Sequence, residues 1–358
     1  MQIDGFLWHL GFTEWEMIKD YLEISRLFNM GLTGVAPVLG ALAMWSVNET
    51  TLIHLFILFC IGCFSHVYGF VINDIKDTDV DKLSNELFAR PLVSGSISRK
   101  KAAIFAVSCM IASFLISIVF YKEFLSFIVL ISILVFAYIL ATIYNFASKK
   151  YPGMDFFVAG AVFFLIVFGA ATVSIQQLLS NHLIWIVASI GAVQVLFMNM
   201  INGAIKDIDH DEKGRANTLA IRLGAKTHKG KITLPTSFKI VGYLVEIVRS
   251  ILIFIPFFII PSFTAKIQQP FVLVRIVLLV LLTAITLYSI NKLFAIKQFK
   301  RNYIRKWIGI IVIVMYATTP IMLSTLNVFF AFIAFIPPVW FILSNIALHG
   351  TILEPKTM

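Results

Sequence analysis

The chain has 358 residues, 59% of them apolar and only 13% charged, with 34 phenylalanines; a soluble domain runs nearer 45–50% and 25%. This excludes a soluble globular enzyme, a disordered chain and a disulfide scaffold, and the continuous apolar runs exclude the alternating strands of an outer-membrane barrel. A formal net charge of +10 then reads as basic loops that orient a membrane protein, with the lipid bilayer as partner and no nucleic acid.

Taken in order, residues 1–25 carry Asp4, Glu14, Glu16, Lys19, Asp20 and Glu23 without an uninterrupted apolar core, so no signal peptide is expected. Trp15, Ile18, Leu22 and Ile24 alternate with Glu16, Lys19 and Asp20, which predicts an interfacial amphipathic helix. A crossing helix needs about 20 apolar residues, and in lipid its backbone must bond to itself. Such runs fall at 27–46, 51–72, 102–120, 124–146, 155–175, 183–203, 240–261, 271–294 and 307–326. Residues 328–348 are a candidate tenth; Asn327 and the Pro337-Pro338 pair leave a crossing, a broken helix and a re-entrant segment all open. The expected fold is an all-α polytopic membrane bundle of nine or ten helices. It divides into an interfacial start (1–25), a helical domain (26–326) and an extra hydrophobic segment (327–358).

Long basic connectors alternate with short ones. The connectors after spans two, four, six and eight hold twenty-one Lys and Arg, and the others hold only Lys122 and Lys266. By the positive-inside rule the even connectors and the N-terminus are expected on the cytoplasmic side of a cell membrane. Cys60, Cys63 and Cys109 all lie in apolar runs and imply no disulfide framework.

Two acidic clusters occupy this same side. One is Asn73-Asp74-Ile75-Lys76-Asp77-Thr78-Asp79-Val80-Asp81; the other is Lys206-Asp207-Ile208-Asp209-His210-Asp211. Each starts where an apolar helix ends. On a helix Asn73, Asp77 and Asp81 share a face, as do Asp207 and Asp211. Like charges at that spacing repel by a few tenths of a kcal/mol per pair, and a divalent cation reverses the sign. Oxygen ligands without a His or Cys cluster suit Mg²⁺, which takes one or two carboxylates and completes its shell with substrate phosphates. Two opposed carboxylate faces therefore suggest two or more Mg²⁺ ions clamping a diphosphate. Asp79 and Asp209 lie off the shared faces and are expected to be solvated; Asp74 is intermediate.

Asn73-Asp74-x-x-Asp77-x-x-x-Asp81 resembles the first signature of the UbiA superfamily of intramembrane prenyltransferases, and Asp207-x-x-x-Asp211 resembles its second. Arg90-Pro91-Leu92-Val93-Ser94-Gly95 is similar to the family's R-P-[LI]-x-S-G, and Gly214 to Gly224 to its G-x-x-x-T-x-x-x-x-x-G tail. Tyr144 to Lys149 resembles its Tyr/Lys element, and Arg26-Leu27-Phe28-Asn29 sits where the family carries Arg and often Asn. The likeness runs from about residue 22 to 326. The long basic loop at 206–239 and the surplus after 327 depart from it.

The resemblance implies a polyprenyl diphosphate donor, its head at the cytoplasmic mouth and its tail among the helices. It implies one Mg²⁺ on Asn73, Asp77 and Asp81 and another on Asp207 and Asp211, with Asp74 as a ligand or base. Asp74, Asp77 and Asp207 are the candidate catalytic acids. Arg90, Lys149 and Lys206 are candidate phosphate contacts, with Tyr144 as a hydrogen-bond donor or pocket wall. Arg26, Asn29, His66, Asn199 and Asn202 are candidates for the acceptor pocket. Glu246 and Arg249, in span seven, are spaced to pair with each other. For the acceptor, the gap from Asp81 to Arg90 resembles that of the family's aromatic-acid members, as does the Asp-x-Asp-x-Asp run at 207–211, which implies a small aromatic, a 4-hydroxybenzoate-like quinone precursor. A geranylgeranylglyceryl phosphate lipid comes second. A transporter with acidic gates is the reading of another class; acids on one face only, away from the midplane, oppose it.

Overall fold

The structure, a computed structural model, describes residues 15–45, 51–82, 87, 88, 90–120 and 123–350. The first fourteen residues of the expected interfacial helix and the last eight of the chain lie outside the described residues. The described part of that segment is helix α1 (Trp15–Ile24), which meets α2 (Leu27–Ala43) at a bend of 53°. Arg26 sits in the bend in the left-handed conformation.

Seven longer helices follow: α3 (Leu52–Asp81), α4 (Arg99–Ser117), α5 (Phe124–Ala147), α6 (Asp155–Val173), α7 (His182–Phe197), a π-helical turn (Met198–Gly203) leading into α8 (Ala204–Lys213), and α9 (Thr236–Phe254). Then come α10 (Pro270–Phe294), α11 (Arg301–Leu323), a 3-10 segment (Val328–Phe335) and α12 (Ile336–His349). Among the described residues nine helices are long and apolar enough to cross a membrane, and ten when the bent α1–α2 pair counts as one. Local signals set several starts: Thr51, Ser98 and Asn181 accept hydrogen bonds from the first-turn N–H groups of α3, α4 and α7.

Two boundaries depart from the hydropathy reading, for one reason. Helix α3 runs 30 residues, about 45 Å of rise against a hydrocarbon layer of about 30 Å. Its polar last turns stay helical, so the first acidic cluster rides on a helix projecting past the apolar span. The run from His182 to Lys213 does the same for the second cluster. The Pro337-Pro338 pair does not break the tenth segment. Both prolines fall in the first turn of α12, where an absent N–H has no helical partner to lose. The all-α expectation has one small exception. Lys226–His228 and Lys231–Thr233 form a hairpin over Lys229-Gly230, both at positive φ, the conformation a two-residue turn requires.

Helix α2 is the central packing element. It lies against α3, α6 and α12. A Cβ at Gly40 would collide with the Ile166 backbone and one at Gly169 with Pro37, so glycine permits the two backbones to touch, as small residues do in membrane bundles. This seam lies beyond the inner end of the cavity described next.

Candidate active site

The three-turn extension of α3 and the π turn with α8 bring both acidic clusters to one cavity of about 260 Å³. Asn73, Asp77 and Asp81 line it from α3, and Asp207 and Asp211 from α8. Arg26, Asn29, His66, Arg90, Tyr144, Lys149, Asn199, Asn202 and Lys206 line it as well. The π turn widens the helix one turn before Asp207, and such turns occur often at functional sites.

Each mouth cation rests on an acid. Arg90 Nη1 donates to Asp81 Oδ2 at 2.6 Å, Lys149 Nζ to Asp211 Oδ1 at 2.6 Å, and Lys206 Nζ lies 3.6 Å from Asp207. Arg90 is held where α3 needs it by the Pro91–Ser94 turn, which closes on Gly95 at φ 85°; this is why that motif ends in glycine. The loop after α8 is pinned to the Lys149-Lys150 connector: Asn217 N donates to Lys149 O at 2.8 Å and Asn217 Nδ2 to Lys150 O at 3.0 Å. Asn145 Nδ2 donates to Gly69 O at 3.0 Å, tying α5 to α3. Tyr144 Oη donates to Asn199 Oδ1 at 3.4 Å. In the connector outside the spans, burial alone would lower the Lys149 ammonium. The carboxylates of Asp211, Asp77 and Asp207 outweigh that and hold its pKa above the ordinary lysine value.

Two expectations are corrected. Asp74 does not line the main cavity; it faces Arg26, which grips it through Nη2 and, at 3.4 Å, through Nε. One residue of helix, about 100° of turn, separates it from the Asn73 face, and its carboxylate pairs with Arg26 at the α1–α2 bend. Asp209 is not a solvated acid. Arg301, itself buried, donates to it at 2.7 Å, and His210 Nδ1 lies 3.2 Å away. Asp79, by contrast, is exposed and pairs with exposed Arg99.

The UbiA prenyltransferase family model matches residues 34–292, which includes both acidic helices. The chain belongs to the UbiA prenyltransferase family. Similar proteins include the digeranylgeranylglyceryl phosphate synthase of Sulfolobus acidocaldarius, 26% identical over 220 residues (59% of this chain, 71% of that one). The 4-hydroxybenzoate octaprenyltransferase of a Marinomonas species is 35% identical over 102 residues (28% and 36%). Among solved structures, a UbiA homolog from Archaeoglobus fulgidus bound to GPP and Mg²⁺ matches with a TM-score of 0.58 at 19% identity, covering 85% of this chain and 99% of that one. At that identity the likeness is one of fold. The protein is thus a multi-pass UbiA-fold prenyltransferase, of a family in which Mg²⁺ is used.

The residues present suit that ion. Asn73, Asp77, Asp207 and Asp211 offer oxygen ligands only, the donor type Mg²⁺ takes; among the described residues no group of three or more His, Cys, Asp or Glu could hold a metal ion by itself. Asn73 and Asp77 line the cavity, and among the described residues neither side chain has an ion pair or hydrogen bond. Sequence reasoning missed three groups on this UbiA scaffold. Asp155, at the start of α6, and Tyr316, on α11, line the cavity. Arg301 anchors Asp209. An acid opening an apolar span directly after Lys149-Lys150 was the available signal for Asp155; nothing local marks Tyr316.

Proposed function

We propose that this UbiA enzyme moves a prenyl group from an isoprenoid diphosphate to the free hydroxyl of a phosphoglyceryl isoprenoid lipid, with two or more Mg²⁺ ions at a mouth facing the cytoplasm. The charge of the mouth carries the reading. Asp74, Asp77, Asp81, Asp155, Asp207 and Asp211 stand against Arg26, Arg90, Lys149 and Lys206, which leaves two net negative charges. A diphosphate adds about three more, a charge that divalent cations must offset for it to bind there, and two of them cancel most of the sum. Mg²⁺ supplies charge neutralisation of the leaving group. Asn73 and Asp77 from α3, and Asp207 and Asp211 from α8, would hold it. Arg90, Lys149 and Lys206, which line the same mouth, would contact phosphate oxygens, where charge develops as the leaving group departs. The bond between C1 and the diphosphate oxygen breaks, and its electron pair leaves with the diphosphate. The acceptor oxygen forms the new bond to C1, and its proton passes to the departing diphosphate.

The name of the Sulfolobus relative supports the lipid acceptor. The Marinomonas relative supports a second reading, a 4-hydroxybenzoate-like acceptor, toward which the sequence spacing also leans. Purified protein in nanodiscs with geranylgeranyl diphosphate and Mg²⁺ should convert geranylgeranylglyceryl phosphate, offered beside 4-hydroxybenzoate, to its prenylated mass. Asp77→Asn should lower the rate more than 100-fold (~3 kcal/mol) and weaken Mg²⁺-dependent donor binding. Wild-type protein without Mg²⁺-dependent product, or Asp77→Asn within a few-fold of wild type, would defeat the reading.

A further inference from the structure

Among the described residues, two side chains that line the cavity each carry a buried polar atom without a hydrogen-bond partner: Asn202 Oδ1 and His66 Nε2. Both residues are 1% exposed and both line the cavity. The Asn202 amide spends its other end on Met198 Sδ at 3.3 Å, a weak contact within the π turn. His66 Nδ1 is taken by Thr33 Oγ1 at 2.9 Å. The backbone of Arg26 and of Ser25 also interacts with the imidazole, so His66 Nε2 is the less open of the two atoms. A buried polar atom left without a partner is costly, and a ligand that completes it relieves that cost.

The donor cannot be that ligand at this depth. Its diphosphate belongs at the mouth, and the remainder of a prenyl donor is hydrocarbon. Helices α5 and α6 line the cavity with Leu134, Ala137, Ala141, Val158, Val162 and Leu165, to which α2 and α3 add Phe28, Leu32 and Phe70. The unsatisfied atoms come from the π turn and α3. Asn202 precedes Asp207 by five residues, about 7 Å of helix rise inward. That is the level of a prenyl C1 attached to a diphosphate held at Asp207. His66 lies seven residues inside Asn73, about 10 Å.

Resting on the prenyl-transfer reading, we propose that Asn202 Oδ1 receives the hydroxyl of the acceptor and holds it beside C1, with His66 as the deeper polar contact of the same acceptor. The acceptor is therefore a hydroxyl-bearing molecule bound along the π turn, α2 and α3, while the prenyl chain runs along α5 and α6. The amide supplies position and no base.

The test uses the full chain in nanodiscs with geranylgeranyl diphosphate and Mg²⁺. It takes whichever acceptor wild type prenylates, with the analogue lacking the hydroxyl as competitor: the deoxy form of geranylgeranylglyceryl phosphate, or benzoate for 4-hydroxybenzoate. In wild type the deoxy competitor should bind 10- to 100-fold more weakly than the acceptor. In Asn202→Leu the two should bind alike, acceptor KM should rise by the same factor, and donor KM should stay within twofold. His66→Phe should raise acceptor KM less. Equal binding of the two compounds to wild type would overturn the assignment and leave transfer standing, as would a preference that survives in Asn202→Leu. Absence of transfer by wild type to either acceptor would remove the function reading itself. Should Asn202→Leu not fold, the wild-type competitor ratio still decides.

Discussion

Lys149 is the residue where charge and position are easiest to separate. It stands in the connector between α5 and α6, its ammonium against Asp211. Its pKa is raised by Asp211, Asp77 and Asp207 against the opposing effect of burial. A raised folded-state value means that the stabilisation is complete below the ordinary lysine pKa of about 10.4 and fades only above the folded value. Nothing is lost between pH 6 and 9. Lys149→Gln should therefore raise donor KM by a similar factor, about tenfold for one charge-assisted contact, at every pH in that window; a defect growing toward one end would point to another group. The four-residue spacing of Asn73, Asp77 and Asp81 was legible from sequence because helical periodicity is local. The turning of Asp74 toward Arg26, and the capture of Asp209 by Arg301, were not. Both partners arrive from elsewhere in the chain, 48 and 92 residues away.

At the scale of elements, α9 carries the clearest energetic commitment. Glu246 and Arg249 are wholly buried in it; Arg249 Nε and Nη2 fork onto Glu246 at 2.8 and 2.6 Å, and Nη1 reaches Thr318 Oγ1 of α11 at 3.0 Å. The i,i+3 pairing was predictable, but the bridge to α11 required the packed bundle. Removing one partner strands a charge in a dry interior. Glu246→Ala should cost about 3–5 kcal/mol, read as a lowered Tm in detergent, and Glu246→Gln with Arg249→Met should recover much of it. The two acidic helices follow a different logic. Hydropathy ends at the membrane boundary while α-helical hydrogen bonding does not, so the spans looked shorter than the helices. The Lys229-Gly230 hairpin stayed hidden because it needs positive φ at a lysine, which composition does not announce.

For the whole molecule, the segment after residue 327 is a structural wall rather than an appendage. Trp340 Nε1 donates to Leu27 O at 2.7 Å, its ring leaves no room for a Cβ at Gly31, and Phe341 meets Phe28 edge-on at 6.0 Å between centroids. Phe28 and Asn29 on that same turn line the cavity. Helix α12 thus braces the back of the turn whose front faces substrate. Trp340→Ala should cost about 3–5 kcal/mol by loss of a large packed side chain, lowering Tm. It should also raise acceptor KM, because the turn it braces loses its backing. An unchanged KM beside a lowered Tm would limit α12 to stability.

By itself the sequence determined the membrane class, the spans to within a few residues, and the pairing of two acidic helix ends, since each depends on local composition or on a 3.6-residue repeat. Only tertiary structure decided which acids face the cavity and which are consumed by arginines, that Asp155 and Tyr316 join the site, and that α12 supports α2. Those outcomes depend on which helices lie side by side. In a bundle whose segments are nearly all apolar, neighbours are chosen by shape and by a few buried polar contacts, and no single segment contains that information.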